Sequence, residues 1–123
     1  MCYAIRHVHD AGFVHLDIKP SNFLINQYKH VKLADFGLAV DLSKIRDITD
    51  CDQAGDSTYM APELMNTSLP LHKRLTKKCD IFSLGLSVLQ LASSLDLPKN
   101  GPLWQKMRDG FDILFSPSSK RSK

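Results

Sequence analysis

Four short groups in this 123-residue chain carry side chains that could do chemistry. The first, His15-Leu16-Asp17-Ile18-Lys19-Pro20-Ser21-Asn22, brings together a carboxylate (Asp17), a cation (Lys19) and a carboxamide (Asn22). The second is Asp35-Phe36-Gly37, the third Ala61-Pro62-Glu63, and the fourth a lone Asp80 at the head of an apolar run. Each group also has a plain reading. Asp-Phe-Gly is a common turn, Asp17-x-Lys19-Pro20 could be a surface turn, Ala61-Pro62-Glu63 could be a helix start, and Asp80 could be only a cap. Their order argues for more: one group follows a helix, the next a hairpin, and a long loop leads to the third. Four such coincidences in so short a chain are improbable.

The elements that must position these residues follow from spacing. Met1, Ala4, Ile5, Val8 and Ala11 share one helical face, and Gly12 sits where a C-terminal cap belongs. Phe23-Leu24-Ile25 and Val31-Lys32-Leu33-Ala34 predict two short strands, joined as a hairpin through residues 26–30. Residues 41–58 are polar and without a period, which reads as a long loop of the kind that carries function. Between 80 and 95, Ile81, Phe82, Leu84, Leu86, Val88, Leu89, Leu91, Ala92 and Leu95 cover every side of a helical wheel. A helix apolar all round belongs in the middle of a core, with Asp80 expected as its N-cap. Pro102 and Gly110 bracket a shorter helix over 102–108. The fold class expected is α+β, mainly helical with a small β-hairpin.

Composition narrows the class. With 43% hydrophobic and 24% charged residues, the chain is an ordinary globular sequence with one core, which argues against disorder, collagen and coiled coil. No apolar run reaches the roughly 18 residues of a membrane helix, and the start lacks a signal-peptide pattern. Export and membrane spanning are therefore not expected. The net charge of +3 belongs to the end of the chain, where Lys120, Arg121 and Lys123 stand without an acid. The basic balance is thus a tail property and points to no nucleic-acid partner. Residues 116–123 read as a disordered basic tail, with a targeting or anionic-surface role as the alternative. Cys2, Cys51 and Cys79 are odd in number and widely spaced, so neither a disulfide framework nor a zinc site is expected, and the compartment reads as reducing. Cys51, between Asp50 and Asp52, is a poor nucleophile candidate.

Taken together, the four groups resemble the C-terminal lobe of a eukaryotic protein kinase, over residues 1–115. The resemblance implies roles. Asp17 is similar to the catalytic base that accepts the proton of the substrate hydroxyl, and Lys19 to the residue that neutralises the transferred phosphate. Asn22 and Asp35 resemble the ligands of Mg²⁺, and with Lys19 they imply ATP as cosubstrate. Phe36 would pack beneath the site and Gly37 would let the backbone turn. Glu63 would pair with an Arg later in the lobe, and Asp80 would tie the catalytic loop to the buried helix.

A narrower resemblance rests on Leu16, on Gly55-Asp56-Ser57-Thr58-Tyr59-Met60-Ala61-Pro62-Glu63-Leu64, on Asp80-Ile81-Phe82-Ser83-Leu84-Gly85-Leu86, and on Leu97-Pro98-Lys99-Asn100-Gly101 before Trp104 and Arg108-Asp109-Gly110. This series is similar to the Wee1/Myt1 family of mitotic inhibitor kinases. It implies a cyclin-dependent kinase as protein substrate, inhibited in cell-cycle control, and an intracellular setting, nucleus or cytoplasm. Lys19-Pro20 alone points to Ser/Thr acceptors whereas the family acts mainly on tyrosine, so the acceptor type stays open. Leu16 stands where most kinases carry an Arg that contacts a loop phosphate; Leu cannot make that charge-assisted bond. Activity independent of loop phosphorylation is expected, with Ser57, Thr58 and Tyr59 as substrate-platform residues.

The six glycines never form G-x-G-x-x-G, so the phosphate-covering half of a kinase is missing from these residues, and the chain alone is expected to be inactive. A surface meant for that half would stay exposed as an apolar patch. Residues 65–78, with Lys73, Arg74, Lys77 and Lys78, read as a solvated loop or a dock for an acidic partner. The rival reading is a truncated, inert kinase relative that binds a protein. Intact Asp17, Lys19, Asn22 and Asp35 speak against it, since an inert relative has no chemical need of them.

Overall fold

The computed structural model describes residues 1–48 and 55–109. Helix α1 (Cys2–Asp10) leads into strand β1 (Phe13–Val14), and a 3-10 turn (Pro20–Asn22) into β2 (Phe23–Ile25). Then come β3 (Val31–Leu33), β4 (Val40–Asp41), a 3-10 helix (Leu42–Asp47) and a 3-10 turn (Pro62–Met65). Helices α2 (Leu71–Arg74), α3 (Lys77–Ser93) and α4 (Gly101–Asp109) complete the order. Among the described residues the strands make two antiparallel pairs, β1 with β4 and β2 with β3.

Local chemistry accounts for most of these boundaries. Gly12 follows α1 at φ +85°, and its N–H closes on the His9 carbonyl at 3.1 Å, as the expected cap would. The β2–β3 hairpin pairs Phe23 with Leu33 and Ile25 with Val31. Its turn is held by Asn26, whose Oδ1 accepts from the N–H groups of Tyr28 (3.0 Å) and His30 (2.9 Å). Part of the expected loop is ordered: Asp41 caps the 3-10 helix by accepting from the Ser43 N–H at 2.9 Å. Residues 65–78 are not a plain loop either, since they hold α2 and the fully buried Leu75. The expectations for Cys51, for Phe111–Phe115 and for the tail 116–123 lie outside the described residues.

Among the described residues two small clusters make the core. Ile5, Ile18 and Leu84 pack together with Phe23 and Leu33 around them. Val14, Val40 and Leu75 form the second, with Leu16, Leu42, Ile45, Leu64 and Leu71 against it. Residues 14–18 run between the two. Val14 and Leu16 anchor this segment in one cluster and Ile18 in the other, which turns the intervening Asp17 and the following Lys19 away from both.

Helix α3 departs from expectation in two ways. It starts one turn early: Thr76 is the N-cap, accepting from the Lys78 N–H at 3.3 Å, and Asp80 lies inside the first turn. Asp80 is fully buried and spends its carboxylate elsewhere. Oδ2 accepts from the His15 N–H (2.8 Å) and the His9 Nε2–H (2.8 Å), and Oδ1 from the Leu16 N–H (2.9 Å). Nor is the helix enclosed on every side. Its inward stripe is Cys79, Asp80, Ser83, Leu84, Leu86 and Ser87, while Ile81, Val88 and Leu91 remain about half exposed. Hydrogen bonding to neighbouring segments decides which face turns inward, because the buried Asp80 carboxylate and the Ser83 hydroxyl, which donates to the Tyr59 carbonyl at 2.6 Å, must face their partners.

Removing the Asp80 carboxylate strands three buried donors. Asp80→Ala is expected to lower stability by about 3 kcal/mol or more, read as a fall in the urea midpoint; a loss below about 1 kcal/mol would contradict this role.

Candidate active site

The candidate site assembles at the junction of the loop 15–22, the hairpin and residues 55–60. His15 is fully buried and sets the loop's path. Its Nε2–H donates to the Ala34 carbonyl at 2.9 Å, and its Nδ1 accepts from the Asp17 N–H at 3.2 Å. One imidazole thereby ties the loop to the strand that delivers Asp35. Leu16 adopts φ +66°, a left-handed conformation that costs a β-carbon-bearing residue roughly 1 kcal/mol or more and is held here by Asp80.

Asp17, Lys19 and Asn22 do come together. The Lys19 ammonium lies 3.3 Å from Asp17 Oδ1. The Asn22 amide nitrogen donates to the Asp17 carbonyl (2.7 Å) and to Asp17 Oδ2 (3.0 Å). The Asp17 side chain keeps only 11% exposure. Asp35 arrives by register. The Ala34 N–H donates to the Asn22 carbonyl at 2.9 Å, so Asn22 and the residue after Ala34 stand at the same end of the hairpin.

The donor set fits a magnesium ion. Asn22 spends its amide nitrogen on Asp17, which leaves its oxygen without a protein partner among the described residues. Asp35 is exposed and uses one oxygen, Oδ1, on the Gly37 N–H at 3.2 Å. Two free hard oxygens are what Mg²⁺ takes from protein when waters and substrate phosphates complete the octahedron. Among the described residues no three His, Cys, Asp or Glu side chains gather into a metal cluster of another kind.

Several expectations need correction. The left-handed backbone of Asp35-Phe36-Gly37 is at Asp35 (φ +59°), not at the glycine. Phe36 is 52% exposed, with only its edge-to-face contact to His15 (centroids 4.9 Å apart) beneath the site. Glu63 pairs with no arginine among the described residues; its Oε1 takes the Cys79 thiol at 3.5 Å. Burial pushes that thiol up to about 12.

Two residues of the site had no local signal. Asp56 Oδ2 lies 3.8 Å from the Lys19 ammonium, so the lysine bridges two carboxylates. Arg108, far along the chain, binds the carbonyls of residues 57, 58 and 60; burial lowers its pKa. Neither contact follows a sequence period. Thr58 is buried and its N–H is held by Asp56 Oδ1 at 3.0 Å. Burial, and after it the Asp56 charge, raises the Tyr59 phenol, which also meets the Gln90 side chain. Gly55 passes so close to the loop that a β-carbon there would lie 2.7 Å from the Leu16 carbonyl oxygen.

Known proteins resemble this chain in sequence. A model of the protein kinase domain matches residues 1–115. The chain is 44% identical over 107 residues to the membrane-associated tyrosine- and threonine-specific cdc2-inhibitory kinase of Drosophila melanogaster, covering 86% of this chain and 19% of that protein. It is 40% identical over 107 residues to the Caenorhabditis elegans kinase of the same description, covering 87% of this chain and 15% of that protein. Against the mitosis inhibitor protein kinase mik1 of Schizosaccharomyces pombe it is 41% identical over 107 residues, covering 87% and 17%. The chain thus spans less than a fifth of the length of these relatives.

The close passage at Gly55 makes a paired test. Gly55→Ala is expected to cost about 1–3 kcal/mol, since a backbone carbonyl cannot step aside. Gly85→Ala, where a β-carbon meets nothing within 4 Å, is expected to be neutral or to stabilise α3 by about 0.5–1 kcal/mol. Equal effects in urea unfolding would contradict the close approach.

Proposed function

The chain belongs to the protein kinase family, and from that premise we propose that it is the C-terminal, catalytic lobe of a Wee1/Myt1-like inhibitory kinase. Residues 1–115 would be that lobe, and 116–123 a basic tail. The observation that carries the reading is the Asp17–Lys19–Asn22 cluster at the hairpin end that also bears Asp35.

The proposed reaction moves the γ-phosphoryl group of ATP to a protein hydroxyl. The hydroxyl oxygen forms a bond to the γ-phosphorus, the bond to the β-phosphate oxygen breaks, and ADP leaves. Asp17 accepts the hydroxyl proton, on a carboxylate kept oriented by the Asn22 amide. Lys19 lies between Asp17 and Asp56, so it holds a positive charge where the transferred phosphoryl would pass. Asn22 and Asp35 would hold Mg²⁺, which when bound with ATP neutralises the phosphate oxygens. The 123 residues contain no G-x-G-x-x-G, so the phosphates would need cover from a second lobe, and this chain alone would not transfer phosphate. A groove of about 380 Å³ beside Phe36, lined by Tyr3, Val8, Val31 and Leu33, supports a covered surface there.

The names of the relatives support the finer proposal. They are tyrosine- and threonine-specific cdc2-inhibitory kinases and mitosis inhibitors. The acceptor would be a Tyr or Thr hydroxyl of a cyclin-dependent kinase, phosphorylated within the cell, in nucleus or cytoplasm, to delay mitosis. The inert binding module is the weaker reading, because it leaves the Asp17–Lys19–Asn22 geometry without a purpose.

Leu16 extends the proposal to regulation. Its side chain packs against the Val14, Val40 and Leu75 cluster instead of offering a cation to a loop phosphate. Thr58 is buried, out of reach of a modifying enzyme.

Two measurements test the reading in an intact kinase domain containing these residues. Asp17→Asn is expected to cut kcat by about 10²–10⁴ with ATP binding retained, followed as transfer of labelled phosphate to a Tyr- or Thr-bearing acceptor. Full activity in that variant would sink the assignment. Phosphatase treatment is expected to leave the rate unchanged; a rate abolished by dephosphorylation would refute the role given to Leu16.

A further inference from the structure

The main-chain carbonyls of residues 57–60 are unusual for a loop: all four are taken by side chains of α3 and α4. Ser57 O accepts from Trp104 Nε1–H (2.9 Å) and from Arg108 Nη2–H (2.9 Å). Thr58 O accepts from Arg108 Nη2–H at 3.1 Å and Met60 O from Arg108 Nε–H at 2.9 Å. Tyr59 O accepts from the Ser83 hydroxyl at 2.6 Å. The remaining Arg108 nitrogen, Nη1, donates to the Trp104 carbonyl one turn back, at 3.2 Å.

Arg108 is itself built in. It is 8% exposed, its guanidinium lies 4.0 Å from the Trp104 ring centroid, and on another side it lies 5.6 Å from that of Phe82. A cation stripped of water needs partners for its donors, and a planar fork of fixed N–H directions serves three carbonyls as a lysine cannot. Stacking on two aromatic rings fixes the plane of the fork. The segment it grips begins beside the reactive cluster, since Asp56 faces Lys19 at 3.8 Å and Gly55 abuts the Leu16 carbonyl.

We infer that Arg108, seated on Trp104, is a positioning residue that locks residues 57–60 into a fixed acceptor platform beside Lys19 and Asp17. The word acceptor rests on the kinase reading above; the lock itself does not. Two consequences follow. The platform takes its shape from α4 and not from a modification of the segment. An acceptor polypeptide, moreover, finds each carbonyl between 57 and 60 already accepting from a side chain and the Thr58 and Tyr59 N–H groups held by Asp56, so recognition there falls to side chains.

Hydrogen exchange on the 123-residue chain tests the lock. The reporters are the Thr58 and Tyr59 N–H groups, bonded to Asp56 Oδ1 and to the Asp56 carbonyl, each at 3.0 Å. Arg108→Lys keeps the charge and loses the fork. It is expected to speed exchange at these amides on the order of tenfold or more while α1 and the β2–β3 hairpin stay protected. Trp104→Phe keeps a ring and removes one donor, and is expected to give the same local pattern at smaller amplitude. Unchanged exchange in Arg108→Lys would mean that a cation alone suffices, and a uniform rise along the chain would mean general packing; either overturns the proposal. Should Arg108→Lys fail to fold, the Trp104→Phe pattern decides, and no local rise there is a refutation. In an intact kinase domain, Arg108→Lys is expected to raise KM for a Glu–Tyr copolymer several-fold and to leave KM for ATP unchanged; an equal rise in both overturns the acceptor-side role. A wild-type domain that transfers no phosphate would refute the kinase reading and leave the lock to the exchange data.

Discussion

Asp80 is the point from which the site is hung. Its carboxylate is wholly enclosed and accepts from two successive backbone N–H groups, of His15 and Leu16, and from the His9 ring. Those two N–H groups belong to a stretch with no strand or helix partner, so without the carboxylate they would be buried and unpaired. Three elements meet on this one side chain: α1 through His9, the loop after β1 through its main chain, and α3 through Asp80 itself. The bonds also hold Leu16 in its left-handed conformation, and that bend lets Val14 and Leu16 enter one apolar cluster while Ile18 enters the other. Asp17 is what remains facing out.

The same economy governs the rest of the site. His15 uses both ring nitrogens, one toward the strand that brings Asp35 and one toward the Asp17 N–H. Asn22 uses its amide protons on Asp17, which leaves its oxygen without a protein partner among the described residues. Arg108 does for residues 57–60 what Asp80 does for the loop, with the polarity reversed: a buried cation collects carbonyls where a buried anion collects N–H groups. In both cases a desolvated charge is stabilised only if the backbone around it holds one shape, so each charge acts as a template for its loop.

How far this was legible in the sequence depends on range. The β2–β3 hairpin and α1 were readable because alternation, the Asn26 turn and Gly12 are local signals. Helix α4 was placed to within a residue at each end by Pro102 and Gly110. The β1–β4 pair was not, since two residues are too few to show a period. Asp80 has the right type for an N-cap, and only the tertiary fold reveals that Thr76 does that work. Apolar residues on every side of α3 hid the fact that its inward stripe is partly polar. The motifs placed Asp17, Lys19, Asn22 and Asp35 by resemblance, but the Lys19–Asp56 pair and the grip of Arg108 join residues 37 and about 50 positions apart. No local pattern encodes such contacts.

The central claim is that Asn22 and Asp35, at one end of the hairpin, form the half-site for a metal–nucleotide complex next to Asp17. Paramagnetic broadening by Mn·ATP in the amide NMR spectrum of the 123-residue chain, in wild type and in Asp35→Ala, tests it most directly. The expected result is broadening centred on residues 17, 22 and 35, weak enough to need ATP in the millimolar range and lost in Asp35→Ala. Broadening centred elsewhere, at the exposed His30 or His72 for instance, or a pattern unchanged by Asp35→Ala, would contradict it.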